Sequence, residues 1–280
     1  MRAQLITCCV IFLTWGTLAY FEWRAPLRRL VEPKLRRTAR NLTLSVFSLL
    51  VGIGMEAVLV IPVARFVETH QLGLLHLFVA EPWLEIALAV LLLDYTLWWW
   101  HWASHRVPFL WRFHLVHHVD RDLDASTALR FHFGEHFFSF FYRSAQIVVF
   151  GASLEAVWLW QLILFVSILF HHSNVRLPAR AEAALVRLVV TPRMHGIHHS
   201  DRRGESFTNY SSLLAVWDYL HRTICLALPQ DAVTIGVPAY ETDRDVTIGR
   251  IMAIPFRRQR DDWQGQTGGR APVPSSTLAP

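Results

Sequence analysis

The stretch "FHLVHH" occupies residues 113–118, and its spacing returns in "HGIHH" at 195–199. Each is a His-x-x-His-His triplet. On an α-helix, positions i, i+3 and i+4 lie on one face. The spacing therefore predicts that His114, His117 and His118 converge, and that His195, His198 and His199 do the same. His101 and His105 form a further i, i+4 pair. Of the fifteen histidines, twelve fall in five groups: 101/105, 114/117/118, 132/136, 171/172 and 195/198/199. Imidazole is a good ligand for zinc, copper, iron and nickel, and one ion takes about four to six ligands. Three converging groups supply eight or more, so the count implies two metals. Without a metal, so many imidazoles would repel one another once partly protonated. The isolated His70, His76 and His221 read instead as ordinary core or surface residues.

The surrounding chain is apolar. Hydrophobic residues make up 53% and charged residues 18%, with 12 Trp and 18 Phe, and mean hydropathy is +0.29. That balance points to a membrane protein. Four runs are long enough to matter: Leu5–Phe21, Leu42–Val63, Trp83–Trp102 and Phe137–Phe170. The last is too long for one span, and Gly151-Ala-Ser153 is placed to break it into a hairpin. The first run is followed by Glu22, Trp23 and Arg24, with no small-residue cleavage site, so it reads as a retained anchor. Cys8, Cys9 and Cys225 have no zinc-finger spacing and imply no disulfide framework.

Loop charge gives an orientation. Arg24, Arg28, Arg29, Lys34, Arg36, Arg37 and Arg40 lie between the first two runs, which places that loop in the cytoplasm. The later spans then bring every dense histidine group to the cytoplasmic face. The net charge of +5 is dispersed in loops and forms no nucleic-acid surface. The expected architecture is all-α: four to five transmembrane or re-entrant helices carrying a cytoplasmic, histidine-rich di-metal cap. Its parts are an anchor helix with a basic loop (1–41), a catalytic domain (42–256) and a disordered tail (257–280). Arg143 fits poorly, because it would lie inside one arm of the hairpin, where a charge is expensive.

Carboxylates near the histidines are few: Asp94, Glu135, Asp120, Asp122 and Asp124. Asp94 lies two helical turns before His101 and nearly on its face, so it reads as a partner for a ligand imidazole. The aromatic run "LWWWHW" (97–102) suits either an interfacial belt or the wall of a lipid tunnel. The donor set leaves iron and zinc both open.

Five segments resemble the fatty acid hydroxylase/sterol desaturase superfamily, and within it the bacterial sterol desaturase branch. They are "DYTLWWWHWASHRVPFLWRFHLVHH" (94–118), "ALRFHFGEH" (128–136), "FHHSN" (170–174), "TPRMHGIHHS" (191–200) and "NYSSLLAVWDYLHRT" (209–223). The resemblance runs over roughly 40–256. It implies a membrane-bound, non-haem di-iron oxygenase that hydroxylates or desaturates a sterol or fatty-acyl lipid with O2 and two electrons. Zinc is able to occupy such a site.

By resemblance, His101/His105, His114/His117/His118 and His195/His198/His199 are the three ligand boxes. His132 and His172 are ligands or near neighbours, and Asp94, His136, His171, Asn209 and Asp218 support them. Two departures touch the site: Trp102 stands where the family usually has Arg, and Phe133-Gly134 replaces a common Pro-Leu. Gly-x-Gly-x-x-Gly and Cys-x-x-Cys-His motifs are absent, so electrons would come from a separate ferredoxin or small haem protein with its reductase. The implied location is a bacterial inner membrane. A divalent-metal transporter needs ligands at mid-membrane, and a zinc-dependent membrane lipid hydrolase commonly shows His-Glu-x-x-His; these are the rival readings.

Overall fold

The computed structural model describes residues 2–78, 81–260 and 262–263. Among them the chain is helical, with isolated β-bridges and no strand. Helix α1 is Arg2–Arg24 and α2 is Lys34–Met55. A π-helical turn, Glu56–Val60, joins α2 without a break to α3, Ile61–His70. The short α4 (Leu74–Phe78) leads into α5 (Pro82–Arg106) and α6 (Pro108–His118). Helices α7 (Phe133–Phe150) and α8 (Leu154–His172) follow. Five short helices complete the cap: α9 (Ala179–Leu185), α10 (Pro192–His198), α11 (Arg203–Ser206), α12 (Val216–Leu220) and α13 (Ile248–Ala253).

Four segments are long and apolar enough to cross a membrane: Leu5–Arg24, Lys34–Phe78, Pro82–Arg106 and Leu154–His172. Each of the first three sequence runs lies inside one of them. The second is longer than expected, because α2 and α3 form one continuous rod. The run 137–170 is a hairpin, as its glycine implies. Gly151 takes φ 77°, the left-handed conformation that ends α7, and Ser153 caps α8 by accepting from Ala156 N–H. At that turn a Cβ on Gly151 would lie 2.5 Å from the Leu72 carbonyl, so the two outer turns pack backbone to backbone.

The apolar core between these helices is built from Val60, Ala64, Val67, Leu93, Ile147 and Trp160, among others. Arg143 is accommodated beside it. Its guanidinium lies over the rings of Phe140 and Trp160, 4.9 and 5.2 Å from their centroids. Glu56, at the start of the π turn, stands 3.9 Å away. A second core joins α2 and α6 to the C-terminal segment through Leu44, Leu115, Val116, Val237 and Ile251.

The basic loop behaves differently from a row of free cations. Arg28, Arg37 and Arg40 are used inside the protein. Arg37 is fully buried, 3.0 Å from Asp120 and also paired with Asp124. Arg40 chelates Glu32 at 2.8 and 3.0 Å and approaches Asp120 at 3.4 Å. Asn41 donates to Asp120 and Ser126. Asp120 and Asp124 are therefore turned to the arginines, and Asp122 accepts from the Val31 and Glu32 amides at 2.8 Å, so none of the three joins the histidine groups. Mutual attraction outweighs desolvation at Asp120, whose carboxyl is held down at about 2. Of the expected tail, residues 257–260 and 262–263 are described, and two of them are tied to the rest of the protein. Arg260 pairs with Asp245 at 2.6 Å, and Asp262 accepts from the Trp111 indole at 2.7 Å. Residue 261 and residues 264–280 lie outside the described residues.

Removing one partner of a buried ion cluster strands the other charges, at about 3–5 kcal/mol. Arg37→Leu is expected to lower the melting temperature in detergent markedly. Arg36→Leu, whose side chain is 66% exposed, is expected to leave it nearly unchanged; equal shifts would contradict the role given to Arg37.

Candidate metal centre

Helices α5, α6 and α8 end, and the short α10 lies, where their histidines meet. Proline shapes two of these approaches. Pro108 starts α6 directly after α5 stops, which turns the chain sharply between His105 and His114. Pro192 occupies the first turn of α10 behind Thr191, whose side chain caps it by accepting from Met194 N–H.

Nine histidines form two groups among the described residues. His101, His105, His114, His118 and His198 make one; His117, His172, His195 and His199 make the other. Within each group the donor nitrogens lie within 4.8 Å of one another. Neither triplet stays whole. His114 and His118 go to the first group and His117 to the second. His195 and His199 go to the second and His198 to the first. At about 100° per residue, i and i+4 are some 40° apart, while i+3 lies about 60° to the other side of i. One triplet thus feeds two neighbouring points, and the two triplets feed them reciprocally.

The outer ring nitrogens are tied down. His101 Nδ1 donates to the Tyr210 carbonyl at 2.7 Å and His117 Nδ1 to Arg130 O at 3.1 Å. His172 Nδ1 donates to Ile168 O at 2.7 Å and His198 Nδ1 to Thr208 O at 2.8 Å. His114 Nδ1 donates to the Glu135 carboxylate at 2.7 Å. Oxygens of these kinds accept, so each Nδ1 carries the hydrogen and each Nε2 is left with a bare lone pair. Such outer bonding fixes the tautomer and aims the ligand atom.

His117 Nε2 and His172 Nε2 then face each other at 2.9 Å with no hydrogen between them. Two lone pairs at that distance require a cation. A proton is a poor candidate, because the second group is buried and has no carboxylate among its members to balance a charged imidazole. The spacing suits a metal. Nitrogens bound about 2.0–2.1 Å from one ion stand roughly 2.9–3.4 Å apart. The contacts His117–His172, His172–His195, His195–His199 and His114–His118 are 2.9, 3.0, 3.1 and 3.2 Å. His105, whose ring nitrogens are both buried without a hydrogen-bond partner, and His198 Nε2 fit the same role.

Aromatic rings close the surroundings. Phe131 stacks on His117 at 4.4 Å, Tyr210 lies 5.4 Å from His105, and Trp111 lies 5.0 Å from His105. The family model for fatty acid hydroxylases matches residues 86–223, about half of the chain and all nine histidines. The chain belongs to the fatty acid hydroxylase/sterol desaturase superfamily. An ornithine lipid hydroxylase of Rhizobium tropici is 31% identical over 55% of this chain and 45% of its own length. Human alkylglycerol monooxygenase is 30% identical over 51% of this chain and 31% of its own. The Xenopus tropicalis alkylglycerol monooxygenase is 27% identical over 65% and 39%. The chain spans less than half the length of these curated relatives. No solved structure matches it.

Other residues singled out in the superfamily's motifs take different places. His132 is outside both groups. Its Nδ1 accepts from Gly134 N–H at the start of α7 and its Nε2 faces Met252 O at 3.3 Å, so it is a helix cap. His136 packs against Phe131 and Phe140. His171 stacks beside His195, ring centroids 4.1 Å apart, without joining either group.

Asp94 reaches no imidazole; it accepts from Leu214 N–H and the Trp217 indole. Asp218 gathers the Tyr210 and Ser211 amides and the Trp98 indole, which steadies the carbonyl that His101 uses. Asn209, at φ 55°, bonds to Met194 O and to both backbone groups of Cys225, tying α10 in place. Glu135 and Arg130 are supporting groups that the motif spacing does not single out; a carboxylate inside the "FHFGEH" box was the available signal for the first. Gly196 has its own cause: a Cβ there would lie 1.7 Å from Arg28 Nη2, which bonds to Pro192 O at 2.7 Å and to Gln230.

His117→Ala is expected to cut the bound metal by about half in elemental analysis. Glu135→Leu is expected to weaken metal retention about 10- to 100-fold in chelator competition. His132→Ala is expected to keep the full metal content, and its loss would return His132 to the ligand set.

Proposed function

We propose that this chain is a membrane-bound di-metal oxygenase that hydroxylates the hydrocarbon chain of a lipid, with two irons as the working metals. The observation that carries the reading is the pair of adjoining imidazole groups, five and four strong, with three rings of the first and two of the second held by outer hydrogen bonds. When bound, the metal pair supplies reductive activation of O2 and attack on an unactivated C–H bond. The reaction is R–H + O2 + 2e⁻ + 2H⁺ giving R–OH + H2O; loss of a second hydrogen in place of hydroxylation gives an alkene.

The protein's own part is to hold the ligands neutral and preorganised, and to keep water from the reacting carbon with Phe131, Tyr210 and Trp111. We assign as substrate a lipid bearing an acyl or alkyl chain, a reading supported by the family and by relatives named for ornithine lipids and alkylglycerols. We assign the electrons to a separate ferredoxin or small haem protein and the histidine face to the cytoplasmic side of a bacterial inner membrane. Placement of both groups at helix ends disfavours a transporter, and the second group has no carboxylate donor of the kind a zinc hydrolase uses.

The test is metal analysis of anaerobically prepared protein, followed by turnover of extracted membrane lipid under ¹⁸O2. Two irons per chain and ¹⁸O in a lipid hydroxyl are expected. Stoichiometric zinc with lipid hydrolysis, and no isotope uptake, would overturn the assignment.

A further inference from the structure

Asp94 stands at the middle of α5, twelve residues from Pro82 and twelve from Arg106. At 1.5 Å per residue that is about 18 Å from either end. Helix α5 is long and apolar enough to cross a membrane, so Asp94 lies near the centre of the crossing. A carboxylate there is expensive unless protein surrounds it. Its partners are the Leu214 amide at 3.2 Å and the Trp217 indole at 2.7 Å. Both belong to the segment after the last metal ligand, which the sequence reading leaves on the water side.

Two further contacts repeat the descent. Ser167, on α8 five residues before His172, donates to the Ser212 carbonyl at 2.8 Å. Trp98 of α5 stacks on His221 at 3.9 Å, and Tyr95 lies 4.9 Å from Trp217. The cap therefore reaches down along both helices, below the histidines.

The segment is dressed for hydrocarbon. Val186, Val190, Met194 and Ala215 form its inner core. On its outer side Leu188 is 67% and Leu220 62% exposed, with Val216 and Tyr219 exposed beside them. Irregular backbone at membrane depth must be satisfied internally, and here it is. Val190 N–H bonds to Leu213 O and Ala215 N–H to Leu188 O, while the Tyr210 and Ser211 amides go to Asp218.

We propose that residues 183–190 and 210–222 form a re-entrant lobe immersed in the bilayer against α5 and α8. Its occupant is lipid. The apolar side faces acyl chains, continuous with exposed Leu91 and Trp99 of α5, and the exposed Arg187 and Arg222 snorkel toward phosphates. His101 is seven residues from Asp94, about 10 Å along the axis. That is inside the roughly 15 Å half-thickness of the hydrocarbon layer. The histidine groups are thus sunk into the membrane's edge, and a lipid chain meets them without leaving hydrocarbon.

The test uses the full-length protein in phosphatidylcholine/phosphatidylglycerol vesicles, with its three cysteines replaced. Nitroxide labels go at Leu188→Cys and Leu220→Cys, with Leu50→Cys as lipid reference and Glu241→Cys as water reference. Collisions with O2 are expected to dominate over those with a water-soluble nickel chelate at 188 and 220, as at 50. A nickel response matching that of residue 241 overturns the lobe. Shielding from both probes means that protein covers the face, and overturns the lipid assignment. In the unsubstituted chain, a bilayer-confined diazirine is expected to label peptides spanning 183–190 and 214–222; labelling of α2 without them has the same force as the nickel result.

Discussion

Two lone pairs facing each other at 2.9 Å, on His117 and His172, are the constraint on which the rest of the molecule turns. Nothing in an apolar interior makes that contact tolerable except a shared cation. The arrangement persists because five of the nine rings, these two among them, are held from behind by an oxygen that only accepts. Those oxygens come from Tyr210, Arg130, Ile168, Thr208 and Glu135. The fold is the means of keeping five such acceptors in register around nine rings. The donor nitrogens of each group are thereby gathered within 4.8 Å of one another by the protein alone.

The acceptors are secured in their turn by charge. Arg130 donates to Val116 O and Asn41 and offers its own carbonyl to His117. It shares Asp120 with Arg37 and Arg40. A buried ion cluster of this kind is weak evidence for stability, since desolvation consumes much of the attraction. Its value here is positional. Opposite charges with several partners each allow one arrangement, and they couple α2 to the loop carrying the aspartates, which follows directly on the α6 triplet.

Much of this was legible in sequence wherever the signal was local. Hydropathy marked the long helices, Gly151 marked the hairpin turn, and the recurring triplet marked six of the nine histidines that gather in the two groups. The triplet's division between two groups also follows from helical angle. What local pattern does not carry is partner identity at long range. His132 and His136 have the same i, i+4 spacing as His101 and His105, which both join the first histidine group, yet one caps a helix and the other packs among phenylalanines. Asp94 sits on the face of His101 but is claimed by Trp217, 123 residues away. The arginines before residue 41 read as free loop charges until Asp120 and Glu32 are seen beside them.

The crossing of Arg28 over Gly196 bears on biogenesis. Arg28 precedes the second span, whereas its acceptors, Pro192 and Gln230, are among the later residues made. Glu22 likewise waits for the amides of Ala125 and Asn174. The first two helices can enter the bilayer early, but the histidine cage has no complete frame until the ribosome has passed residue 230. Any metal that fills the cage is consequently bound after residue 230 has been made, and a translation product stalled before it would present loose imidazoles to the cell's metal pool.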